Sequence, residues 1–436
     1  MSGPGAATLS QASTGRTGWV VMSALWAVDG TSTVMIFLIG LTLPEIRNEF
    51  NISPVQEGYL GSAFFVALTT LSLPSAIWMS RFSPRIVTLL ALIGMTVTAV
   101  LQGIAPNYWI LLAARLMFMY ALVSRTQAEV MLIQQWFSGP RIATLNSITV
   151  ASFGIGQLAA IGLVPILMPH VGGWRGIHLL LAVVYAAVAV AWFIVGRERP
   201  YQTSATEAAP TALRVDGTPG GPAGVLKRHP ILFVIASTQF GGAMAWATFV
   251  TFFPTFAQDE HGLSLITVGL LFSAFPIGGT IGSLTVGPLS NWIRRRKPFI
   301  FTQGFIMPIL YLTILSMGPD NPLISWLPDS FVSSDSWTLA LVPFLVIQGM
   351  MTSSVVPMIM TVPFDMQFRP REVAVAVGLI RTITPLGSTI GPVLAGALQE
   401  GTGSLETALF IVLPVSVTVG LIGILLPESH PSRRTG

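Results

Sequence analysis

The chain has 436 residues, 52% hydrophobic and only 9% charged, against roughly a quarter charged in an average soluble domain. Its mean hydropathy is +0.72, which excludes an ordinary soluble enzyme and points to a protein whose solvent is mostly lipid. It has no cysteine, which excludes disulfide frameworks and thiolate metal sites, and its five histidines show no ligand pairing.

In chain order, residues 1–17 are small and polar, lack the apolar stretch of a signal peptide, and read as a disordered cytoplasmic tail. A helix needs roughly 20 apolar residues to cross a bilayer. The apolar runs predict twelve spans: 18–42, 56–79, 84–104, 107–136, 142–168, 176–196, 231–256, 265–289, 298–317, 337–363, 374–399 and 405–426. The fold class is therefore an all-α polytopic membrane protein. Between the sixth and seventh spans, residues 197–230 are charged and rich in Pro and Gly and read as a cytoplasmic linker. Residues 428–436 form a second cytoplasmic tail.

An even number of spans puts both termini on one side, and the basic residues set which side. With the N-terminus inside, seventeen of the 22 Lys and Arg fall in cytoplasmic tails and loops, and only Arg47 and Arg175 fall in outer loops. Arg115, Arg125 and Arg381 remain inside spans. This asymmetry accounts for the high pI without a nucleic-acid partner and predicts a multi-pass protein of the cytoplasmic membrane.

The two sides of the linker repeat. "GYLGSAF" at 58–64 falls on "GLLFSAF" at 269–275, and "AIWMSRFSPR" at 76–85 falls on "GPLSNWIRRR" at 287–296, both at an offset of 211. Pro44 and Pro254 align at 210, where Asp29 falls on Gln239. Two related six-span units, 18–196 and 231–427, match the parallel repeats of secondary transporters. The chain resembles the major facilitator superfamily over nearly its whole length.

The motifs that carry this resemblance are partly altered. The family's loop G-x-x-x-D-R-x-G-R-R has Ala76, Ser80, Arg81, Ser83 and Arg85 in the first half, and Gly287, Asn291, Arg295 and Arg296 in the second. The fourth-span R-x-x-Q-G keeps Arg115, with Phe118 and Met119 in place of the Gln and Gly. "GSTIGP" at 387–392 and "GWRG" at 173–176 are similar to family patterns. The resemblance implies two pseudo-symmetric six-helix bundles and alternating access, with spans one, four, seven and ten lining a central cavity.

A charge at the bilayer centre costs about 2.5–3.5 kcal/mol on insertion scales, so the buried ionisable groups are the residues least explained by folding. At about 1.5 Å per residue, Asp29 and Arg125 lie roughly 16 Å from the cytoplasmic end, and Glu129, Arg381 and Gln239 roughly 10–12 Å. Arg125 and Glu129, at i and i+4, share a helix face and form a pair. By the resemblance, Asp29, Arg125, Glu129 and Gln239 face the cavity and Arg381 approaches from the other half. Guanidinium forks suit a carboxylate.

Arg125, Arg381, Gln239, Trp26 and Trp246 are thus the candidate substrate-binding residues. Asp29, Glu129 and Arg115 are the candidates for proton coupling. A second reading of Arg115 is a helix-fixing bond to backbone carbonyls. Glu57, Asp365 and Glu372, near span ends, are expected to be solvated or held by arginines.

The expected function is secondary transport of a small organic anion, by proton symport, with sodium as the alternative ion. The competing expectation is proton-coupled efflux of cationic drugs. No P-loop, nucleophile motif or metal spacing appears, so the expectation is a monomeric transporter rather than an enzyme. It has the bilayer as partner and no cofactor, metal or nucleic acid.

Overall fold

The computed structural model describes residues 16–79, 82–137, 140–198, 221–318 and 337–429. The N-terminal tail before Arg16, most of the linker, the 319–336 loop and the end of the C-terminal tail lie outside the described residues, as do Ser80 and Arg81. Arg16 and Thr17, placed in the tail by the sequence, already belong to the first helix.

The first half comprises α1 (Arg16–Phe50), α2 (Pro54–Met79), α3 (Pro84–Gly103), α4 (Tyr108–Trp136), α5 (Pro140–Leu167) and α6 (Gly173–Val195). A short linker helix, α7 (Gly221–Arg228), precedes the second half. There the seventh span is α8 (Ile231–Ser237) and α9 (Phe240–Asp259), and the eighth is α10 (Leu265–Phe272) and α11 (Ala274–Ile293). Next come α12 (Lys297–Ser316), α13 (Thr338–Asp365) and α14 (Pro370–Thr402). The last span is α15 (Leu405–Val412) and α16 (Val417–Leu425), joined by a 3₁₀ turn.

Helices are the expected answer for a chain in lipid, because each satisfies its own backbone polar groups. Their starts carry local signals. Ser83 accepts the N–H of Ile86 ahead of Pro84, Asn107 that of Ile110, and Ser264 that of Thr267. Large apolar side chains point outward, among them Val183 and Ile194 on α6, Leu284 on α11 and Ile309 on α12. In water such a surface would drive aggregation; facing acyl chains, it is the solvated face.

Ten rods among the described residues are long and apolar enough to cross a membrane. The sequence counts twelve, and the other two are α2 and α14. These two pack on each other along the seam between the halves. Small residues serve that close contact. A side chain on Gly58 of α2 would begin 2.5 Å from the carbonyl oxygen of Pro392 on α14. Its repeat mate Gly269 faces the same constraint, 2.6 Å from the carbonyl oxygen of Ile161 on α5. The repeat seen in the sequence therefore encodes matching close approaches of the two halves.

These contacts fix the shape of the seam. The basic end carries Arg85, Lys227, Arg228, Arg294–Lys297 and Arg369. At the opposite end the halves are closed. Gly40 of α1 lies against the backbone of Val250 and Thr251 on α9. Arg47 of α1 bonds Asp259 of α9 at 2.9 Å, and Ser62 of α2 donates to the carbonyl of Thr389 on α14 at 2.7 Å. Just inside them, Phe37, Phe65 and Trp246 form an aromatic plug with ring centroids 5.6–6.2 Å apart.

Candidate transport site

Gly40 and Val250 touch across the seam and stand 210 apart in sequence, the offset of the internal repeat. They therefore mark the pseudo-symmetry axis. Eleven residues earlier on each helix, three full turns, come Asp29 and Gln239. Along α1, Asp29 lies about 16 Å nearer the basic end than Gly40. Gln239 caps α9 at the break between α8 and α9; it is buried, and its Oε1 has no partner.

Asp29 belongs to a charged cluster inside the first half. Arg125 of α4 donates through Nη1 to Glu129 Oε2 at 2.9 Å and through Nη2 to Asp29 Oδ1. Glu129 Oε1 accepts from Thr149 of α5 at 3.3 Å, and Thr149 accepts from the indole N–H of Trp26 at 3.1 Å. Arg125 is 0% exposed, Glu129 3% and Asp29 8%. Asp29 Oδ2 has no partner. Two carboxylates and one guanidinium carry a formal charge of −1, and a single proton brings the cluster to zero. In a low-dielectric site that difference is large.

Arg381 sits differently. It lies on α14 seven residues before Ser388 and eleven before Pro392, hence on their face. Ser388 is buried with its hydroxyl on the carbonyl of Ala243, and Pro392 abuts Gly58. Arg381, two to three turns nearer the basic end, is exposed. The seam is thus sealed above Arg381.

Arg115 is buried and reaches no carboxylate in this arrangement. Its Nε donates to the carbonyl of Leu60 at 2.8 Å, and its Nη atoms donate to those of Met35 and Ile36 at 3.2 and 3.1 Å. It pins α4 to α1 and α2. Trp246 belongs to the aromatic plug, and Trp26 to the hydrogen-bond chain of the cluster. The structure brings Asp29, Arg125, Glu129 and Trp26 into one network. It leaves Gln239 and Arg381 on the facing half and Arg115 and Trp246 nearer the closed end.

Sequence reasoning missed Thr149 and the link at the closed end by which Arg47 of α1 holds Asp259 of α9 across the seam at 2.9 Å. The expectation that end-of-span acids meet arginines is met by Glu57 with Arg47 and by Asp365 with Arg296 at 3.0 Å. Glu372, just ahead of the eleventh span, accepts the backbone N–H of Arg369 at 3.0 Å and meets His229 at 3.1 Å. The Arg369 N–H, with His229 beside it, holds its carboxyl below the ordinary range.

Two helical halves, a sealed seam and buried charges at mid-depth define a membrane transporter. The chain belongs to the Major Facilitator Superfamily, whose profile matches residues 25–334. It is 20% identical over 392 residues to the hexuronate transporter of Bacillus subtilis (strain 168), covering 88% of both chains. It is 23% identical to monocarboxylate transporter 11 of Mus musculus, over 96% of this chain and 89% of that one. Among solved structures it matches a bacterial homologue of the human lysosomal transporter Spinster, in an inward-facing and unoccupied conformation. That match has a TM-score of 0.73 at 15% identity, over 94% of this chain and 95% of the other.

Proposed function

We propose that this transporter carries small carboxylate anions across the cytoplasmic membrane together with protons, its halves rocking about the level of Asp29 and Gln239. The observation that carries the reading is the position of Arg125, enclosed by two carboxylates of its own half. An anion reaches Arg125 only when one carboxylate lets go. A proton on Asp29 neutralises the cluster and frees Nη2 for the substrate carboxylate. Arg381, exposed on the facing half, supplies the second guanidinium. A substrate held by both halves favours the closed arrangement over the open one.

In this reading Trp26, Gln239 and Trp246 wall the site. Glu129 keeps Arg125 oriented, and Arg115 takes part at a distance by holding α4 in place. The proton is preferred to sodium because one proton balances the cluster charge without a coordination shell. The relatives named for hexuronate and monocarboxylate transport support an organic acid as cargo. The excess of Lys and Arg supports a cytoplasmic basic end, so the closed end of the seam faces outward. No chemical conversion is required of any residue in this scheme, and one chain contains the whole site.

Thermal unfolding with added ligand tests the reading, since a binder stabilises the state it occupies. Hexuronates and monocarboxylates are expected to stabilise the purified protein more at pH 5.5 than at pH 7.5, and not to stabilise Arg381→Ala or Arg125→Gln. The formal charge of −1 on the cluster favours one competitor, proton-coupled efflux of organic cations. Stabilisation by cationic dyes, with none by carboxylates, would select that competitor.

A further inference from the structure

Two spans of the second half are broken at one level and touch there. In the seventh span, α8 ends with the N–H of Thr238 on the carbonyl of Val234 at 3.1 Å, and α9 starts with that of Ala243 on Gln239 at 2.8 Å. The last span breaks at Pro414, which has no N–H for the ladder and lies in the 3₁₀ turn Leu413–Ser416. Gly241 and Gly242 of α9 let the two breaks meet. A side chain on Gly241 would begin 2.6 Å from the carbonyl oxygen of Val415 and collide with the hydroxyl of Thr418. One on Gly242 would begin 2.8 Å from Val419.

The internal repeat shows what replaces this contact in the first half. Gly241 falls on Thr31 at the offset of 210 that relates α9 to α1. For the last span the offset is 230, at which Gly403 with φ +74° falls on Gly173 with φ +72°; Val415 then falls on Tyr185. Both α1 and α6 run unbroken through these positions, and Tyr185 donates to the carbonyl of Thr31 at 2.9 Å. One half therefore has a hydrogen-bonded pin between continuous helices. The other has a close backbone contact between broken ones.

We propose that this contact is a paired hinge: α8 and α16, the basic-end segments of the seventh and last spans, swing together about it while the first half keeps its shape. Helices bend where their ladder is interrupted, and hinges sit at the ends of elements. With no side chains on Gly241 and Gly242, each segment turns without displacing one. Below the hinge each is fastened to a neighbour. His229, just ahead of α8, meets Glu372 in the first turn of α14 at 3.1 Å. Glu428, beyond α16, accepts the N–H of Arg296 ahead of α12 at 2.8 Å. The seventh span meets α1 at the seam, so the swing changes the width of the seam at the basic end. Asp29, two residues from Thr31, stays where the pin holds it. The hinge depends on neither the cargo nor the coupling ion.

Spin-label distances in the full-length protein in lipid nanodiscs test this, in a chain with no native cysteine. One labelled pair, Phe233→Cys on α8 with Leu339→Cys at the start of α13, spans the hinge. Its repeat mate, Ser23→Cys on α1 with Trp109→Cys at the start of α4, spans the pin, and all four positions are exposed. Phe233 lies eight residues before Gly241, about 12 Å, so a bend of about 20° moves it by about 4 Å. The hinge pair is expected to give a distance distribution broader than its mate's by about that much. Pro414→Ala, which returns the missing N–H to the last span, is expected to narrow the hinge pair and leave its mate unchanged.

Equal breadth in the two pairs, or a broader distribution for the pin pair, overturns the hinge. A hinge pair that keeps its breadth in Pro414→Ala means that the seventh span bends alone and overturns the pairing. Should Pro414→Ala not fold, Gly242→Ala with Val419→Ala stiffens the other break while returning the space, and the same narrowing is expected.

Discussion

Removing the guanidinium of Arg125 leaves Asp29 and Glu129 facing each other without a counter-charge, at exposures of 8% and 3%. The formal charge of the cluster goes from −1 to −2. Breaking a buried pair from one side costs about 3–5 kcal/mol, because the remaining charge is uncompensated. For a chain of this size that corresponds to a fall in unfolding temperature of about 3–5 °C. The expected result for Arg125→Gln is a loss of that size at pH 7.5 and a smaller one at pH 5.5, where protons stand in for the missing charge.

The neutral triple variant Asp29→Asn, Arg125→Gln, Glu129→Gln keeps the shapes, removes every charge, and is expected to recover most of the stability. Neither variant transports. The eleven tryptophans provide the unfolding signal in detergent. An Arg125→Gln protein as stable as wild type, or a triple variant no better than the single, would refute the claim that the three groups form one electrostatic unit.

Three further outcomes follow from the ends of the bundle. Asp259→Asn breaks the ion pair to Arg47 across the seam. Because these groups are 41% and 28% exposed, the pair is worth only about 0.2–1 kcal/mol, so opening of the closed end should rise about 1.4- to 5-fold. Maleimide labelling of Thr251→Cys, in a chain with no native cysteine, reads this directly, and an unchanged rate would remove the latch from the gate. Arg294 has φ +56°, a left-handed conformation at the position where the family's loop carries a glycine. Arg294→Gly is expected to stabilise by about 0.5–1 kcal/mol, the strain relieved minus the added chain entropy, seen as a higher unfolding temperature. Glu372, with a lowered folded pKa, contributes stability above the ordinary carboxyl value that is lost as pH falls through the folded one. The stability gap between wild type and Glu372→Gln should therefore be present at neutral pH and close under acid, as a pH series of unfolding temperatures would show.

The helices and their order were legible because apolar runs of span length have few other uses. The repeat was legible too: the offset that aligns Pro44 with Pro254 also aligns Gly40 with Val250, and these meet on the symmetry axis. The pairing of Arg125 with Glu129 could be read from one helical turn. Its third member could not, because Asp29 lies 96 residues away on another helix and nothing in the local spacing selects it from the other acids. Thr149 has still less signal, since threonines are common in these helices and most bond their own backbone. Arg115 satisfies itself on carbonyls, which every residue possesses, so sequence alone allowed both a structural and a coupling role.

The most direct test of the central claim is uptake of labelled glucuronate into proteoliposomes under an imposed proton gradient. The account predicts accumulation that requires an inward-directed gradient, collapses with a protonophore, and is absent in Asp29→Asn. Uptake by wild-type protein that is indifferent to the gradient, or a gradient-driven Asp29→Asn protein, would contradict it.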